Sequence, residues 1–304
     1  MRFFVLKIII MKHKAGFVNI VGNPNVGKST LMNKLVGERI SIATFKSQTT
    51  RHRIMGILNT EDTQIVFSDT PGVVKPSYKL QESMLQFSNS ALSDADVLLY
   101  VTDVVEQIDK NQDFIEKVAS LDIPVILLIN KIDQSNQEDL VKIFDAWKAT
   151  LPKAEIIPIA AKSNFGVDIV LRRINELLPE CPPYFDKDQW TDKPARFFVS
   201  EILREKILLY YDKEVPYATE VAVEQFKESQ KKILISAVIY VERDSQKGII
   251  IGKQGRALKK IATEARRDLE SFFGKSVFLE TFVKVDKDWR SSDKKLKDFG
   301  YQPD

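Results

Sequence analysis

Apolar and polar positions divide this chain into two unlike halves. Residues 15–21, 97–101, 125–129 and 156–160 are short, almost uninterrupted apolar runs. Such runs predict strands buried on both faces of a parallel sheet, because a strand with one wet face would alternate. Segments with helical spacing separate them. Residues 53–58 and 64–68 flank a polar turn at 59–62 and predict a hairpin. The alternation predicts a doubly wound α/β domain with a mostly parallel sheet, one antiparallel edge, and a closing helix over 167–178. Periodicity stops at Pro179. Pro182, Pro183 and a charged stretch to Pro194 predict a linker. From Ala195 onward the order is helix, strand, strand, helix, helix, strand, which predicts a smaller α+β domain. Its paired strands fall at 219–226 and 233–241, and a long amphipathic helix at 257–273. The predicted organisation is an extension over 1–12, a first domain over 13–180, a linker over 181–194 and a second domain over 195–304.

Composition narrows the chemistry. The 304 residues can form two domains, each with its own core, and 44% hydrophobic with 29% charged residues is ordinary for a globular chain. One cysteine, Cys181, and two histidines, His13 and His52, exclude a disulfide framework, a Cys/His zinc cluster and a Cys/His catalytic pair. The apolar N-terminus is interrupted by Lys7 and is too short to span a bilayer, so we expect a loosely packed extension ahead of Met11. The net charge is +3, but residues 245–267 alone carry +6: seven cations against Glu264. Charge concentrated in this way predicts a site for a polyanion.

Three motifs in the first domain point to a nucleotide. Gly22-Asn23-Pro24-Asn25-Val26-Gly27-Lys28-Ser29, followed by Thr30, fits G-x-x-x-x-G-K-[ST] between a predicted strand and a predicted helix. Glycines let the loop close around a polyphosphate. Its N–H groups form an anion nest, Lys28 reaches the β and γ phosphates, and Ser29 ligates Mg²⁺. Asp69-Thr70-Pro71-Gly72 follows a strand, placing a carboxylate for Mg²⁺ and a glycine N–H that senses the γ-phosphate. Asn130-Lys131-Ile132-Asp133 selects guanine, since a carboxylate at Asp133 accepts from N1–H and the 2-amino group, where adenine has no donors. Lys131 covers the ring. A backbone N–H in Ala160-Ala161-Lys162 reads O6, with Ala160 where a serine is usual. Thr49 and Thr50 are both candidates for a switch ligand that reaches Mg²⁺ only when γ-phosphate is present. Val73, where many such enzymes carry glutamine, cannot orient water and predicts slow intrinsic hydrolysis.

With Gln48-Thr49-Thr50-Arg51-His52-Arg53-Ile54 and the C-terminal Lys284-Val285, Trp289-Arg290 and Gly300-Tyr301, these motifs resemble the Era family of bacterial GTPases from Met11 onward. The resemblance implies GTP or GDP with Mg²⁺, hydrolysis assigned to Lys28, Asn25, Gly72 and Thr49 or Thr50, and K⁺ at Asn25. It also implies a C-terminal KH domain that binds single-stranded RNA at the 3′ region of 16S rRNA, assistance to 30S assembly, monomeric state, and a cytoplasmic location with peripheral inner-membrane association. Gly252-Lys253-Gln254-Gly255 then resembles the G-x-x-G clamp of KH domains, with Arg256, Lys259 and Lys260 as phosphate contacts and Ile249 to Ile251 beneath. Trp289, Phe299 and Tyr301 are expected to pack a terminal helix onto the second sheet rather than stack bases. A kinase is disfavoured by Asp133, and a tRNA-modifying GTPase by the lack of a C-terminal cysteine. A signalling GTPase acting on a protein or membrane effector is the alternative that RNA co-purification would separate.

Overall fold

The computed structural model describes residues 13–106 and 111–301. The expected extension over 1–12 lies outside the described residues. The first domain is a six-stranded sheet in the order β2-β3-β1-β4-β5-β6. Its strands are β1 (Lys14–Gly22), β2 (Ile54–Asn59), β3 (Thr63–Asp69), β4 (Val97–Asp103), β5 (Val125–Asn130) and β6 (Glu155–Pro158). All neighbours pair in parallel except β2 with β3, so the antiparallel edge is the predicted hairpin. Helices α1 (Lys28–Val36), α2 (Lys79–Ser93), α3 (Gln112–Ala119), α4 (Gln137–Thr150) and α5 (Val167–Leu177) cover it. The apolar runs are buried as expected; β3 and β4 expose no residue. Because β1 pairs with β3 on one side and β4 on the other, the direction in which the sheet is wound switches at the C-terminal end of β1. That crevice is where an open α/β sheet binds its ligand, and residues 22–29 fill it.

The second domain is a three-stranded sheet, β7-β8-β9. Strands β7 (Glu220–Glu228) and β8 (Lys232–Val241) form the antiparallel pair, and β9 (Ser276–Val285) runs parallel to β8. The crossover between them holds α7 (Asp244–Ile251) and α8 (Arg256–Phe273). Helix α8 buries Ile261, Ala265 and Leu269, a stripe with a spacing of four. The stripe packs on Ile235, Ala237 and Ile239 of β8 and on Val199, Leu203 and Ile207 of α6 (Ala195–Tyr210). Gln246 starts α7 by accepting from the backbone N–H groups of Glu242 and Arg243, at 2.9 and 3.0 Å.

Two features depart from expectation. Residues 184–192 run along the first domain: Gln64 Oε1 accepts from the N–H groups of Tyr184 and Phe185, and Ile57 N–H donates to Trp190 O at 2.9 Å. This segment covers the free edge of β2, which would otherwise leave backbone groups unpaired. Trp289 and Tyr301 are fully buried, as packing residues should be, but not on the second sheet alone. With Leu296 of α9 (Asp293–Asp298) they join Leu80, Met84 and Phe87 of α2. The C-terminal segment therefore latches the second domain onto the first. Local spacing carries no signal for a contact between residues some 200 positions apart.

Candidate nucleotide and RNA sites

The loop after β1 is shaped by steric need. A Cβ on Gly22 would lie 2.1 Å from the carbonyl oxygen of Val101, and one on Gly27 would lie 2.3 Å from Asn130 Nδ2. Lys28 is buried, and its ammonium donates to the carbonyls of Gly22 (3.0 Å) and Asn23 (2.8 Å). Burial pushes its pKa down to about 8, against the pull of Asp69 and Glu106. An anion in the loop would relieve that cost. Asn23 donates to Glu106 and accepts from Asn111, whose amide also donates to Val73 O at 3.0 Å. Sequence reasoning did not single out Glu106 or Asn111, since neither lies in a recognisable motif.

Asp69 closes the site from β3. It is fully buried, and its Oδ1 has no hydrogen-bond partner. Burial raises its pKa, and Lys28 opposes the shift. A cation satisfies such a carboxylate. Thr50 Oγ1 lies 2.8 Å from Ser29 Oγ and 3.2 Å from Asp69 Oδ2. Adjacent ligands of an octahedral Mg²⁺ at about 2.0–2.1 Å stand about 2.9 Å apart, so Ser29 and Thr50 fit one ion. Thr49 does not share this position: its hydroxyl donates to Lys46 O and lies 2.6 Å from Thr44 Oγ1. Thr70 donates to Ile20 O at 2.7 Å, Val73 N–H to Gly22 O at 3.1 Å, and Ser88 to Pro71 O at 2.9 Å, docking 70–73 against the loop. Gly72 lies so close to Pro24 that a Cβ would come within 2.7 Å. The Val73 side chain is buried in the core under α2 and α3 and does not face the cleft.

Asn130 ties three segments together. It donates to Val26 O at 2.8 Å and accepts from Ala161 N–H at 3.0 Å. Lys131 lies over the loop, bonded to Asn25 O and Asp103 at 2.6 Å each. Asp133 is exposed beside it, as are Asn25 and Lys162. Within Ala160-Ala161-Lys162, the Ala160 N–H donates to Phe165 O at 3.1 Å, closing a small bridge. The cleft bounded by Lys28, Thr30, Thr50, Gly72, Lys131 and Lys162 measures about 550 Å³. A larger cleft of about 1170 Å³ opens between the domains, but Glu38, Asp186, Asp188, Glu201 and Asp268 outnumber Arg39 and Lys193 in its lining, a balance that disfavours a polyphosphate.

On the second domain, α7 ends at Gly252 (φ 70°), and the turn runs through Gln254 (φ 53°) and Gly255 (φ 73°) into α8. A Cβ on Gly252 would meet Ala257 Cβ at 2.6 Å. Lys253, Gln254, Arg256, Lys259 and Lys260 are exposed around this turn. Lys260 lies 4.2 Å from the Tyr210 ring centre. Ile250 is in the core but Ile249 is 51% exposed, so the three isoleucines do not form one floor. Leu258, Ala262, Arg266 and Leu279 instead line a groove of about 360 Å³ next to Gly255.

Residues 17–131 match a family described as 50S ribosome-binding GTPase, and residues 214–290 match the KH domain family. The chain is 45% identical to GTPase Era of Alkaliphilus metalliredigens (strain QYMF), across 96% of this chain and all of that one. It is 38% identical to an Aquifex aeolicus Era variant bound to GDP·AlF4⁻, covering 95% of this chain and all of that one, with a TM-score of 0.91. An Era complex with MgGDPNP and nucleotides 1506–1542 of 16S ribosomal RNA is equally similar, at 38% identity, 96% coverage of this chain and TM-score 0.91. With a P-loop GTPase domain followed by a KH domain, and with that identity over nearly its whole length, the chain belongs to the Era family of GTPases.

Proposed function

We propose that this chain binds and hydrolyses GTP in the first domain and grips unpaired RNA, the 3′ region of 16S rRNA, with the second, in the service of 30S assembly. One observation carries the reading: a solved Era of the same two-domain fold holds both MgGDPNP and that RNA. We place the nucleotide domain at 13–180, the linker at 181–194 and the RNA domain at 195–304. The site residues are those of the cleft. Gly22 to Thr30 cradle the phosphates, Lys28 offers its charge to the β and γ oxygens, and Gly72 N–H meets the γ-phosphate. Asp133 reads the base beneath Lys131, with Ala161 and Lys162 at its edge. Ser29, Thr50 and Asp69 hold Mg²⁺, which neutralises charge on the transferring phosphoryl group when bound. Asn25 is exposed at the mouth, where it would hold K⁺, a further source of positive charge in place of an activating arginine. Val73, buried in the core, leaves water without a side chain to orient it, so the chain acts as a slow switch. Lys253, Arg256, Lys259 and Lys260 hold phosphates around the turn from Gly252 to Gly255. We further propose a monomer in the cytoplasm, with peripheral attachment at the inner membrane; among the described residues no helix is long and apolar enough to cross one.

Calorimetry with GDP, ADP and XDP tests the nucleotide. Fluorescence anisotropy with a strand copying the 3′ end of small-subunit rRNA, against a scrambled control, tests the RNA. Equal affinity for ADP and GDP overturns the first assignment, and equal affinity for both strands the second. GTP turnover in KCl and in NaCl at one ionic strength, with Asn25→Ala beside the wild type, tests the K⁺ site; no cation preference overturns it.

A further inference from the structure

The loop that carries Thr50 is held by the other domain. Arg204, on α6, is 1% exposed. Its Nη1 donates to the carbonyl of Gln48 at 3.1 Å and its Nη2 to the carbonyl of Thr49. The carbonyl of Thr49 belongs to the peptide that enters Thr50, so Arg204 fixes the plane from which the Thr50 side chain projects. Glu201, 5% exposed, orients the guanidinium through bonds of 2.8 and 2.7 Å. On the far side of Thr50, Arg51 is fully buried and donates to the carbonyls of Pro216 (3.3 Å), Tyr217 (3.1 Å) and Thr219 (2.8 Å). Lys46, earlier in the loop, donates to Tyr211 O and to Asp212 at 2.8 Å. Thr50 thus sits between two arginine anchors, both made with the second domain, while its hydroxyl faces Ser29 and Asp69 in the first.

We infer that Arg204 is a positioning residue for GTP hydrolysis, acting from the RNA-binding domain by holding the backbone of residues 48–50 so that Thr50 can complete the Mg²⁺ site. The inference rests on the proposed nucleotide reading. A guanidinium suits this task because its planar fork serves two carbonyls and a carboxylate at once, which a lysine ammonium cannot reproduce. Arg204 touches neither nucleotide nor metal, so its removal should leave GDP binding alone, since GDP does not need a closed loop. It should affect only the state in which Thr50 is a ligand.

Arg204→Met combined with Glu201→Gln removes both buried charges together and leaves no orphaned carboxylate. With Mg²⁺, single-turnover hydrolysis should slow by between about tenfold and a hundredfold, the usual cost of small misplacements. Affinity for a non-hydrolysable GTP analogue should fall while GDP affinity stays within about twofold, because only the analogue draws Thr50 to the metal. Thr50→Ala should be costly in the wild type and nearly silent in the double variant, since the two changes disable one device. Should the double variant not fold, Arg204→Lys carries the same comparison, with a smaller loss. Unchanged hydrolysis, equal weakening of GDP and analogue, or an undiminished Thr50→Ala penalty would each overturn the inference and leave Arg204 as interdomain packing only. A wild type that does not hydrolyse GTP overturns the nucleotide reading itself.

Discussion

The nucleotide cleft and the basic turn both face phosphates, yet they are built in opposite ways. In the cleft, polar groups are buried and mutually committed: Lys28 to two carbonyls, Asn130 to Val26 and Ala161, Thr50 to Ser29 and Asp69. At the turn, Lys253, Arg256 and Lys259 stand in solvent around glycines. A buried network fixes one geometry, and losing one member strands the others. Solvated cations impose little geometry and add their effects one by one, under the control of salt. The first arrangement suits discrimination between closely similar small molecules. The second suits a flexible polymer whose backbone must be held wherever its bases are read.

The largest effect should come from the base-reading carboxylate. Asp133→Asn exchanges acceptor for donor at two bonds of about 1.5–3 kcal/mol each. GDP affinity should fall by at least about a hundredfold while XDP affinity rises, measured by calorimetry. The corresponding change at the turn, Lys253→Asp with Gln254→Asp, places two anions in the clamp. RNA affinity by anisotropy should drop by tens of fold or more, with GDP affinity unchanged. Unaltered RNA affinity would reduce the turn to a solvated surface and remove the contrast. Salt tests the same contrast without mutation. If three to five phosphates are contacted, log K for RNA should fall with log salt at a slope of about −2 to −4, while specificity for GDP over ADP should barely respond.

The smallest effect concerns the seam between the regions. His52 stacks on Tyr301 with ring centres 4.2 Å apart and meets Phe197 edge-on. Burial, aided by Arg204, Lys193 and Arg51, pushes its pKa down to about 3. The unfolded chain binds a proton here below its ordinary 6.5, whereas the folded chain does not until about 3. This contribution to stability is therefore complete above pH 6.5 and is lost as the pH falls toward 3. At pH 5 it should amount to at most about 2 kcal/mol. Wild type should lose a few degrees more of melting temperature between pH 7 and 5 than His52→Phe; equal losses would show that His52 is not the group responsible.

Most of the architecture could be read along the chain. Every strand that was given ends from the sequence is present within a few residues of them, because apolar residues recur in each within a short window. The glycine loop was legible because its spacing follows from sterics: Gly22 and Gly27 each need both a positive φ and the space left by close neighbours. Which N–H of Ala160-Ala161-Lys162 is committed elsewhere was not legible, because the partner of Ala160 N–H, Phe165 O, is chosen by a turn with no sequence signature of its own.

What the sequence determined by itself is the local chemistry: which segment is shaped to wrap a phosphate, which carboxylate is suited to meet a base, and where positive charge gathers. Periodicity, glycine sterics and charge act over a few residues, so they are written in order along the chain. What only the tertiary structure decided is which of two adjacent threonines lies beside Ser29 and Asp69, and what holds it there. Thr49 and Thr50 are chemically alike and side by side. The choice falls to Arg204, Arg51 and the latch of Trp289 and Tyr301 on α2, contacts between residues far apart in sequence. Their free energy comes from burying aromatic groups, and from hydrogen bonds that offset the desolvation of the arginines, at a surface that exists only once both domains have folded and docked.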